Sequence, residues 1–513
     1  MTVFLETVSQ FKSNLYDVAR SVLLSRVRLR GKTAELQEEC ERLRLENQEL
    51  QRQRRAAKER GAQLRQLCES YQKENQELRE QPIRLPADLP PRNHSYGAGM
   101  IALCLNLAKR IGFRAASVSL EIVFEYLRID QKVPDHDSIR IWLCRAGIAE
   151  LNQTSEAKDM IWFSDHSSQL GKEKVLTIAG ISAADLPEDR ALKLTDLRVL
   201  ALVPGTTWKK DNVGREYQST AERHGVPRDI VCDGASELGD PAQTLENEGK
   251  TPNVIRDLKH HAANLLEKIV GKSERFLDFE KQVGPTRNRV QQTELSHFAP
   301  PPLKQKSRFM NLGCLWRWGS MVCWHLCHRD SKARRGITPK RMNEKLGWVK
   351  RYQDDLASWN RCQQLIDAAL AFVNQKGIYR GAAKQLESVL AETAQTWETR
   401  CEASQAMREG LIEHVARSES CLSPTERGWG STEVLESLYG QYKCLEGQHS
   451  KGGFTSLLAA MPALTVHWTA ERVREAFHRV SVKDMKEWVK ANLGQTLNSR
   501  RREAYQECST GFA

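Results

Sequence analysis

The sequence has no apolar run approaching the roughly 18 residues of a membrane-spanning helix, so no membrane contact is expected. Its N-terminus carries an early acid, Glu6, and no small-residue cleavage site, which favours an amphipathic helix over a signal peptide. The 13 cysteines are scattered, and no CxxC pair stands near another, which excludes a disulfide scaffold and favours a reducing compartment. A hydrophobic content of 40% and a charged content of 28% exclude wholesale disorder.

The excess of basic residues is the first indication of a partner. A chain of 513 residues exceeds one ordinary core, and roughly two to four domains are expected. Its 77 Lys and Arg against 65 Asp and Glu give a net charge of +12, which favours a polyanion, most commonly nucleic acid. A basic enzyme that binds no nucleic acid is the alternative. The segment from Cys323 to His328 is compatible with zinc, but a buried apolar helix is the simpler interpretation.

The N-terminal segment, residues 1–80, has a heptad pattern. Leucine or another apolar residue recurs every seventh position from Leu36 to Leu78, with charged residues between. Asn47 and Asn75 fall at the companion core positions, where each can pair with its mate only when two parallel strands are in register. We therefore predict an N-terminal helix followed by a parallel coiled coil that makes the chain a homodimer. A long helix packed on its own chain is the alternative.

Two segments follow the heptads. Residues 81–95 are rich in proline, which predicts a stiff linker. Residues 96–152 contain three short helical patterns joined by tight turns, as in a helix-turn-helix domain. The last pattern carries Ser138, Arg140 and Arg145, which we expect to contact DNA. A small helical bundle that does not touch DNA is the alternative.

The remainder predicts an interrupted α/β domain. Residues 158–276 contain three strand-like runs, a helix, a strand, and then a further strand and helix, which indicates a mixed sheet with an antiparallel edge. Residues 277–427 lose the strand signals and predict a helical insertion. The α/β domain resumes over residues 428–470, and residues 471–513 predict C-terminal helices and the basic tail Arg500–Arg502.

Three acids carry the chemical hypothesis. Asp165 in "IWFSDHS" and Asp233 in "DIVCDG" lie at the ends of apolar strand patterns, where aspartate is depleted and costly to bury unpaired. Glu436 lies on a helix after the insertion, and Glu433, one turn earlier, is its rival. Carboxylates from separate elements can hold two divalent ions for phosphoryl chemistry, and such hard ligands select Mg²⁺ or Mn²⁺. Taken singly, each acid is compatible with a strand-end turn or a helix cap.

The order of these elements resembles the RNase H-like DDE transposases, in particular those of bacterial insertion sequences, and the retroviral integrases. The resemblance implies an RNase H-like mixed sheet flanked by helices, with Asp165 and Asp233 on strands and the third acid on a helix. In insertion-sequence transposases that helix carries Tyr, Arg, Glu and Lys at fixed spacings. Here the same spacings give Trp429, Thr432, Glu436 and Lys443, so only Glu and Lys match. The resemblance implies that Lys443 binds DNA.

Two further features accompany the resemblance. Asp257 and His260 form a D-x-x-H arrangement, which in several cut-and-paste transposase superfamilies lies beside the active site. A helix cap with surface histidines is the alternative. A long helical insertion recurs among hairpin-forming transposases, where a tryptophan can stack on a flipped base. The resemblance makes Trp316 and Trp318 candidates for that role, and packing in the core is the simpler alternative.

The predicted function is that of a DNA transposase, which cuts and rejoins phosphodiester bonds. The resemblance implies double-stranded DNA partners, namely the inverted repeats at the transposon ends and the target DNA, and a bacterial cytoplasmic protein associated with the nucleoid. Two alternatives stay open. One is a catalytically inactive, domesticated DNA-binding dimer, and the other is an RNase H-like nuclease or resolvase without strand transfer.

Overall fold

The chain divides into two compact units, Met1–Pro86 and Ala87–Ala513. The computed structural model describes residues 2–80, 88–129, 131–154, 159–170, 173–246, 249, 251–303, 308–328, 336–395, 397, 401–448, 456–493 and 504–507. Part of the predicted proline-rich linker and the basic tail Arg500–Arg502 lie outside these described residues.

The first unit contains a single continuous helix, α1 (Thr2–Glu80). Its large apolar side chains are exposed, including the heptad residues Leu43, Leu50 and Leu64. A helix of this length has no core of its own, and an exposed heptad column is what a coiled coil buries against a second helix. Helix α1 therefore carries an exposed heptad column, and the pairing of two such helices in a coiled coil stays a prediction.

The second unit begins with three helices, α2 (Ala98–Ile111), α3 (Phe113–Leu127) and α4 (His136–Leu151). The side chain of Asp135 caps α4 by accepting hydrogen bonds from the first-turn backbone amides. Most of α4 is buried, and it packs against a 3₁₀ helix near the C-terminal end, Ser456–Thr465. The segment predicted to form a helix-turn-helix is therefore helical, but the middle of its last helix lies in the core.

A five-stranded mixed sheet forms the centre of the second unit. Its strands are β1 (Met160–Leu170), β2 (Glu173–Ser182), β3 (Arg198–Gly205), β4 (Asp229–Cys232) and β5 (Asn253–Arg256). Their order across the sheet is β3-β2-β1-β4-β5. The first three are antiparallel, whereas β4 and β5 run parallel to β1. The predicted mixed sheet with an antiparallel edge is thus observed.

Helices cover both faces of the sheet. On one face, α5 (Lys210–His224) and α6 (Ser236–Ala242) pack against Trp162 and neighbouring apolar residues. On the other face, Phe163 belongs to the large core that also contains α7 (Leu258–Leu266). Alternate residues of β1 therefore point into different cores, as the two-residue period of a strand requires. This alternation places Asp165 on the same face as Phe163.

The segment between α7 and the last part of the α/β domain is mainly helical. Its α-helices are α8 (Glu274–Val290), α9 (Leu312–Cys327), α10 (Pro339–Leu346), α11 (Gln353–Lys376), α12 (Ala382–Ala394) and α13 (Glu402–Ser420). A π turn follows α7, and short 3₁₀ turns join the other elements. Two short strands, β6 (Ile378–Tyr379) and β7 (Arg427–Gly428), pair at the end of this segment. The sequence did not predict them, because two residues are too short to show an alternating pattern.

The chain closes with α14 (Glu433–Gly447), the 3₁₀ helix Ser456–Thr465, α15 (Ala470–Arg479) and α16 (Val482–Leu493). Helices α14, α15 and α16 and the 3₁₀ helix all contact earlier elements of the second unit, and α15 packs on both α2 and α4. No helix in the described ranges is long and apolar enough to cross a bilayer.

A glycine tests the close packing of α4 on the 3₁₀ helix. A Cβ at Gly147 would overlap the backbone carbonyl oxygen of Ala459, so Gly147→Ala forces two buried backbone segments apart. We expect a loss of about 1–3 kcal/mol, seen as a lower thermal midpoint by circular dichroism. Gly440→Ala is the matched control, because among the described residues its added Cβ would meet no atom within 4 Å outside the neighbouring backbone of its own helix, and alanine favours the helix. Equal midpoints for the two variants would contradict this packing.

Candidate active site

The register of the parallel strands brings three acids to one edge of the sheet. Ser164 of β1 lies opposite Cys232 of β4, and Cys232 lies opposite Arg256 of β5. The next residue along each chain is an aspartate. The three are Asp165, Asp233 and Asp257. Asp233 and Asp257 follow the last residues of β4 and β5, whereas β1 continues past Asp165 to Leu170 and stays paired with β2. The predicted position of Asp165 at the end of a strand is therefore wrong, but the shared register still brings one acid from each strand to the same region.

Asp165 and Asp233 form an electrostatically coupled pair. One oxygen of Asp165 accepts a hydrogen bond of 2.7 Å from the amide of His166. Burial, followed by the negative charge of Asp233, raises the pKa of Asp165 to about 7. Two carboxylates with little water between them resist simultaneous ionisation, and a cation placed between them would relieve that repulsion.

Local backbone geometry fixes Asp233. One of its oxygens accepts a 2.8 Å hydrogen bond from the amide of Ala235. Gly234 between them has a left-handed backbone (φ 83°), which residues with a side chain rarely adopt. The chain can therefore turn sharply after β4 and leave the carboxylate of Asp233 at the strand end.

Asp257 is fully buried and accepts hydrogen bonds from three groups. It accepts hydrogen bonds from the amide of Lys259 (2.8 Å), from Nδ1 of His260 (2.8 Å) and from the hydroxyl of Thr432 (2.5 Å). Burial opposes its ionisation, but the donors outweigh burial and lower the pKa of Asp257. Burial likewise opposes protonation of His260, whereas Asp257, Asp165 and Asp233 raise the pKa of His260. Asp257 and His260 are thus a buried ion pair beside the two other aspartates.

Helix α14 is attached to this edge of the sheet at two points. Thr432, at its N-cap, donates to Asp257, and Tyr439 donates its hydroxyl to the backbone carbonyl of Asp165 at 3.1 Å. Glu436 follows Thr432 by four residues and precedes Tyr439 by three, so all three side chains lie on one side of the helix. That side faces the aspartates.

Lys259 joins this helix to α7. Its ammonium lies 2.7 Å from Glu436 Oε2 and 3.2 Å from Glu433 Oε1. Glu433 also accepts a hydrogen bond of 2.5 Å from the side-chain amide of Asn374 on α11. Glu433 and Glu436 are therefore both engaged by Lys259, and the structure does not separate Glu436 from its rival by distance alone.

Asp165 and Asp233 are chemically suited to be two of the ligands of a hard divalent cation. Among the described residues, the second oxygen of Asp165 and of Asp233 accepts no hydrogen bond, and carboxylate oxygens are the ligands that Mg²⁺ and Mn²⁺ prefer. Within the same residues, no three His, Cys, Asp or Glu side chains are close enough to enclose an ion. Glu436 is held by Lys259 through one carboxylate oxygen, Oε2.

The predicted DNA contacts on α4 have unequal surroundings. Arg145 is buried, and its guanidinium donates to the carbonyls of Phe477 and Val480 and contacts the ring of Phe477. The expected DNA contact of Arg145 is not available in this arrangement, because those carbonyls already take its donors. Ser138 and Arg140 are half-buried at the start of α4, where Ser138 donates to Asp135 and Arg140 to Asp137.

The remaining predicted contacts also differ in exposure. Lys443 is exposed on α14. Trp316 and Trp318 are buried in the helical segment, and Trp318 donates to the carbonyl of Phe298 at 2.8 Å. Neither tryptophan can stack on a base without opening this core. Both side chains therefore pack as core residues, which is the alternative to base stacking. Cys323, in the segment weighed for zinc, is buried and its thiol lies 3.7 Å from the carbonyl of Val349.

Sequence reasoning missed Lys259, Thr432 and Tyr439. Lys259 lies inside the D-x-x-H motif, and nothing in its local pattern distinguishes it from a surface lysine. Thr432 and Tyr439 could have been found from their helical spacing around Glu436, which marks a common face. The partners of all three lie far away in sequence, and only the fold brings them together.

No family model matches this sequence, and no curated protein is significantly similar to it. Among solved structures, the chain is similar to the Drosophila P element transposase strand transfer complex, with a TM-score of 0.38 and 9% sequence identity. The match covers 75% of this chain and 94% of that chain. So loose a likeness does not carry an activity over to this chain, whose function has to follow from its own residues.

The attachment of α14 to Asp257 can be tested by Thr432→Val. The substitution keeps the shape of the side chain and removes the hydroxyl that donates to a buried carboxylate, so we expect a loss of about 1–3 kcal/mol in a urea titration followed by fluorescence. Ser437→Ala is the control, because its exposed hydroxyl bonds only to the carbonyl of Glu433 in the same helix. A Thr432→Val protein as stable as the control would show that this hydrogen bond does not hold α14 in place.

Proposed function

We propose that this chain is a DDE-type DNA transposase, in which Asp165 and Asp233 hold Mg²⁺ or Mn²⁺ and Glu436 completes the site. One observation carries the proposal. Asp233 at the end of β4 is electrostatically coupled to Asp165 of the adjacent parallel strand β1, and the helix that bears Glu436 is attached to β1 at Asp165. A structural role for the acids would not require a buried carboxyl beside a second one, where burial and then the charge of Asp233 raise the pKa of Asp165 to about 7.

The sheet supports the RNase H-like fold that this mechanism needs. An antiparallel meander precedes two parallel strands, helices cover both faces, Asp165 lies within β1, and Asp233 directly follows β4. The third acid arrives on α14 only after a mainly helical segment. This is the order of elements that the resemblance to DDE transposases implied.

The residues of the site have separate tasks in the proposal. When bound, the metal would activate a water or a 3′-hydroxyl and stabilise the leaving oxygen of the phosphodiester. Asp165 and Asp233 supply its oxygen ligands. His260, held by Asp257 through its Nδ1, presents its other ring nitrogen to a phosphate oxygen.

Double-stranded DNA and a second copy of the chain are the proposed partners. The net charge of +12 suits a polyanion. The exposed heptad column of α1 would pair with that of a second copy, so that both ends of a mobile element are held in one assembly. At the start of α4, Arg140 is the residue that we expect to contact a DNA phosphate.

The catalytic role is tested with Asp233→Asn, which removes the charge and keeps the size of the side chain. The substrate is DNA that flanks the gene on both sides, where terminal repeats are expected. We expect Mg²⁺-dependent cleavage to fall at least about a thousandfold, since the metal loses a carboxylate ligand, whereas DNA binding measured by fluorescence anisotropy is retained.

Asp240→Asn is the matched control. This substitution makes the same chemical change at an exposed residue of α6 that pairs with Lys210. Cleavage by this variant should stay at the wild-type rate. Wild-type cleavage by Asp233→Asn would end the assignment. Cleavage that never yields joined products, even with target DNA present, would select the nuclease or resolvase alternative.

The DNA contact of α4 is tested by its salt dependence. Arg140→Ala should weaken binding several-fold and lower the slope of log K against log salt by about 1, because one phosphate contact is lost. Arg145→Met should instead lower the thermal midpoint, because it leaves the buried carbonyls of Phe477 and Val480 without donors. An unchanged salt slope for Arg140→Ala would remove α4 from the DNA interface.

A further inference from the structure

Lys259 holds a central position among the acids of the site. Its backbone amide donates to Asp257, which fixes it in the first turn of α7, and its side chain reaches Glu436 and Glu433 on α14. Its side chain is only 22% exposed, whereas the side chains of Glu433 and Glu436 are 35% and 39% exposed, so water partly screens these ion pairs. Burial alone would lower the pKa of Lys259, but the two glutamates outweigh burial and raise it.

The charges of the site divide into three groups. Asp257 is neutralised by His260. Glu433 and Glu436 share the single positive charge of Lys259. Among the described residues, no lysine or arginine forms an ion pair with Asp165 or Asp233, so their negative charge is the one left for an added cation. A cation bound there would compete directly with Lys259 for the carboxylate of Glu436.

The two glutamates are not equivalent in that competition. Glu433 has a second partner, the side-chain amide of Asn374, and keeps this hydrogen bond when its ion pair with Lys259 is broken. Among the described residues, the only partner of the Glu436 carboxylate is Lys259. Glu436 also shares its helical face with Thr432 and Tyr439, which contact the aspartates. Release from Lys259 therefore frees Glu436 and leaves Glu433 attached to the helical segment.

We propose that Lys259 is a positioning residue that occupies the place of the cation at Glu436, so that metal binding and the Lys259–Glu436 ion pair exclude each other. The inference rests on the proposed function, because it assumes a metal at Asp165 and Asp233. In the metal-free protein the ammonium of Lys259 neutralises the carboxylate of Glu436 and holds it away from the two aspartates. When metal binds, Glu436 exchanges one cation for the other, and Asn374 keeps Glu433 from taking its place.

The test is a Mn²⁺ titration of the full-length protein without DNA, followed by electron paramagnetic resonance, which reports free Mn²⁺ directly. Lys259→Met removes the competing charge and keeps the length of the side chain, so we expect Mn²⁺ to bind about three- to tenfold more tightly than to wild type. Lys259→Arg retains the charge and should stay within about twofold of wild type. Lys259→Gln is the second variant if the methionine protein does not fold.

A double-mutant cycle assigns the effect to one glutamate. In Glu436→Gln, adding Lys259→Met should no longer tighten Mn²⁺ binding, whereas in Glu433→Gln it should tighten binding as it does in wild type. Unchanged affinity in both Lys259→Met and Lys259→Gln would overturn the inference, and so would tightening that depends on Glu433. Asp233→Asn distinguishes a failure of this inference from a failure of the proposed function, because Mn²⁺ binding that survives this substitution would contradict the proposed function itself.

Discussion

Mutual repulsion of carboxylates at one edge of the sheet is the constraint on which this structure depends. Asp165 within β1, Asp233 after β4 and Asp257 after β5 each follow a residue that is paired across three adjacent parallel strands, and this register brings the three acids together. Burying such a cluster costs free energy unless each charge is paired or protonated. The protein meets this constraint in part, since His260 neutralises Asp257 whereas Asp165 and Asp233 stay coupled and Asp165 is driven toward a near-neutral pKa.

The same constraint explains how the chain returns to the sheet after a long excursion. The helical segment between α7 and α14 could in principle deliver α14 anywhere, but Thr432 attaches it to Asp257 after β5, and Tyr439 attaches it to Asp165 within β1. Asn374 of that segment in turn fixes Glu433. The segment is therefore connected to the site through a specific side chain as well as through the chain itself, and a change in α11 can reach the acids.

Sequence reasoning located the strands and the acids because apolar strand patterns that end in aspartate are unusual and local. It could not locate Lys259, whose carboxylate partner lies 177 residues away. It also gave Arg145 a place on the surface, because a basic residue on a helix is normally exposed, whereas carbonyls more than 300 residues further on bury it. For Trp316 and Trp318 the sequence does not distinguish a base-stacking surface from a core, because the spacing of tryptophans on a helix is the same in both cases.

A crystal structure of the full-length protein grown with Mn²⁺, with data collected at the manganese absorption edge, tests the central claim most directly. The account predicts an anomalous peak in contact with the carboxylates of both Asp165 and Asp233, and no such peak in crystals of Asp233→Asn. A metal-soaked crystal with no peak at the two aspartates, or with manganese bound only elsewhere on the protein, would contradict it.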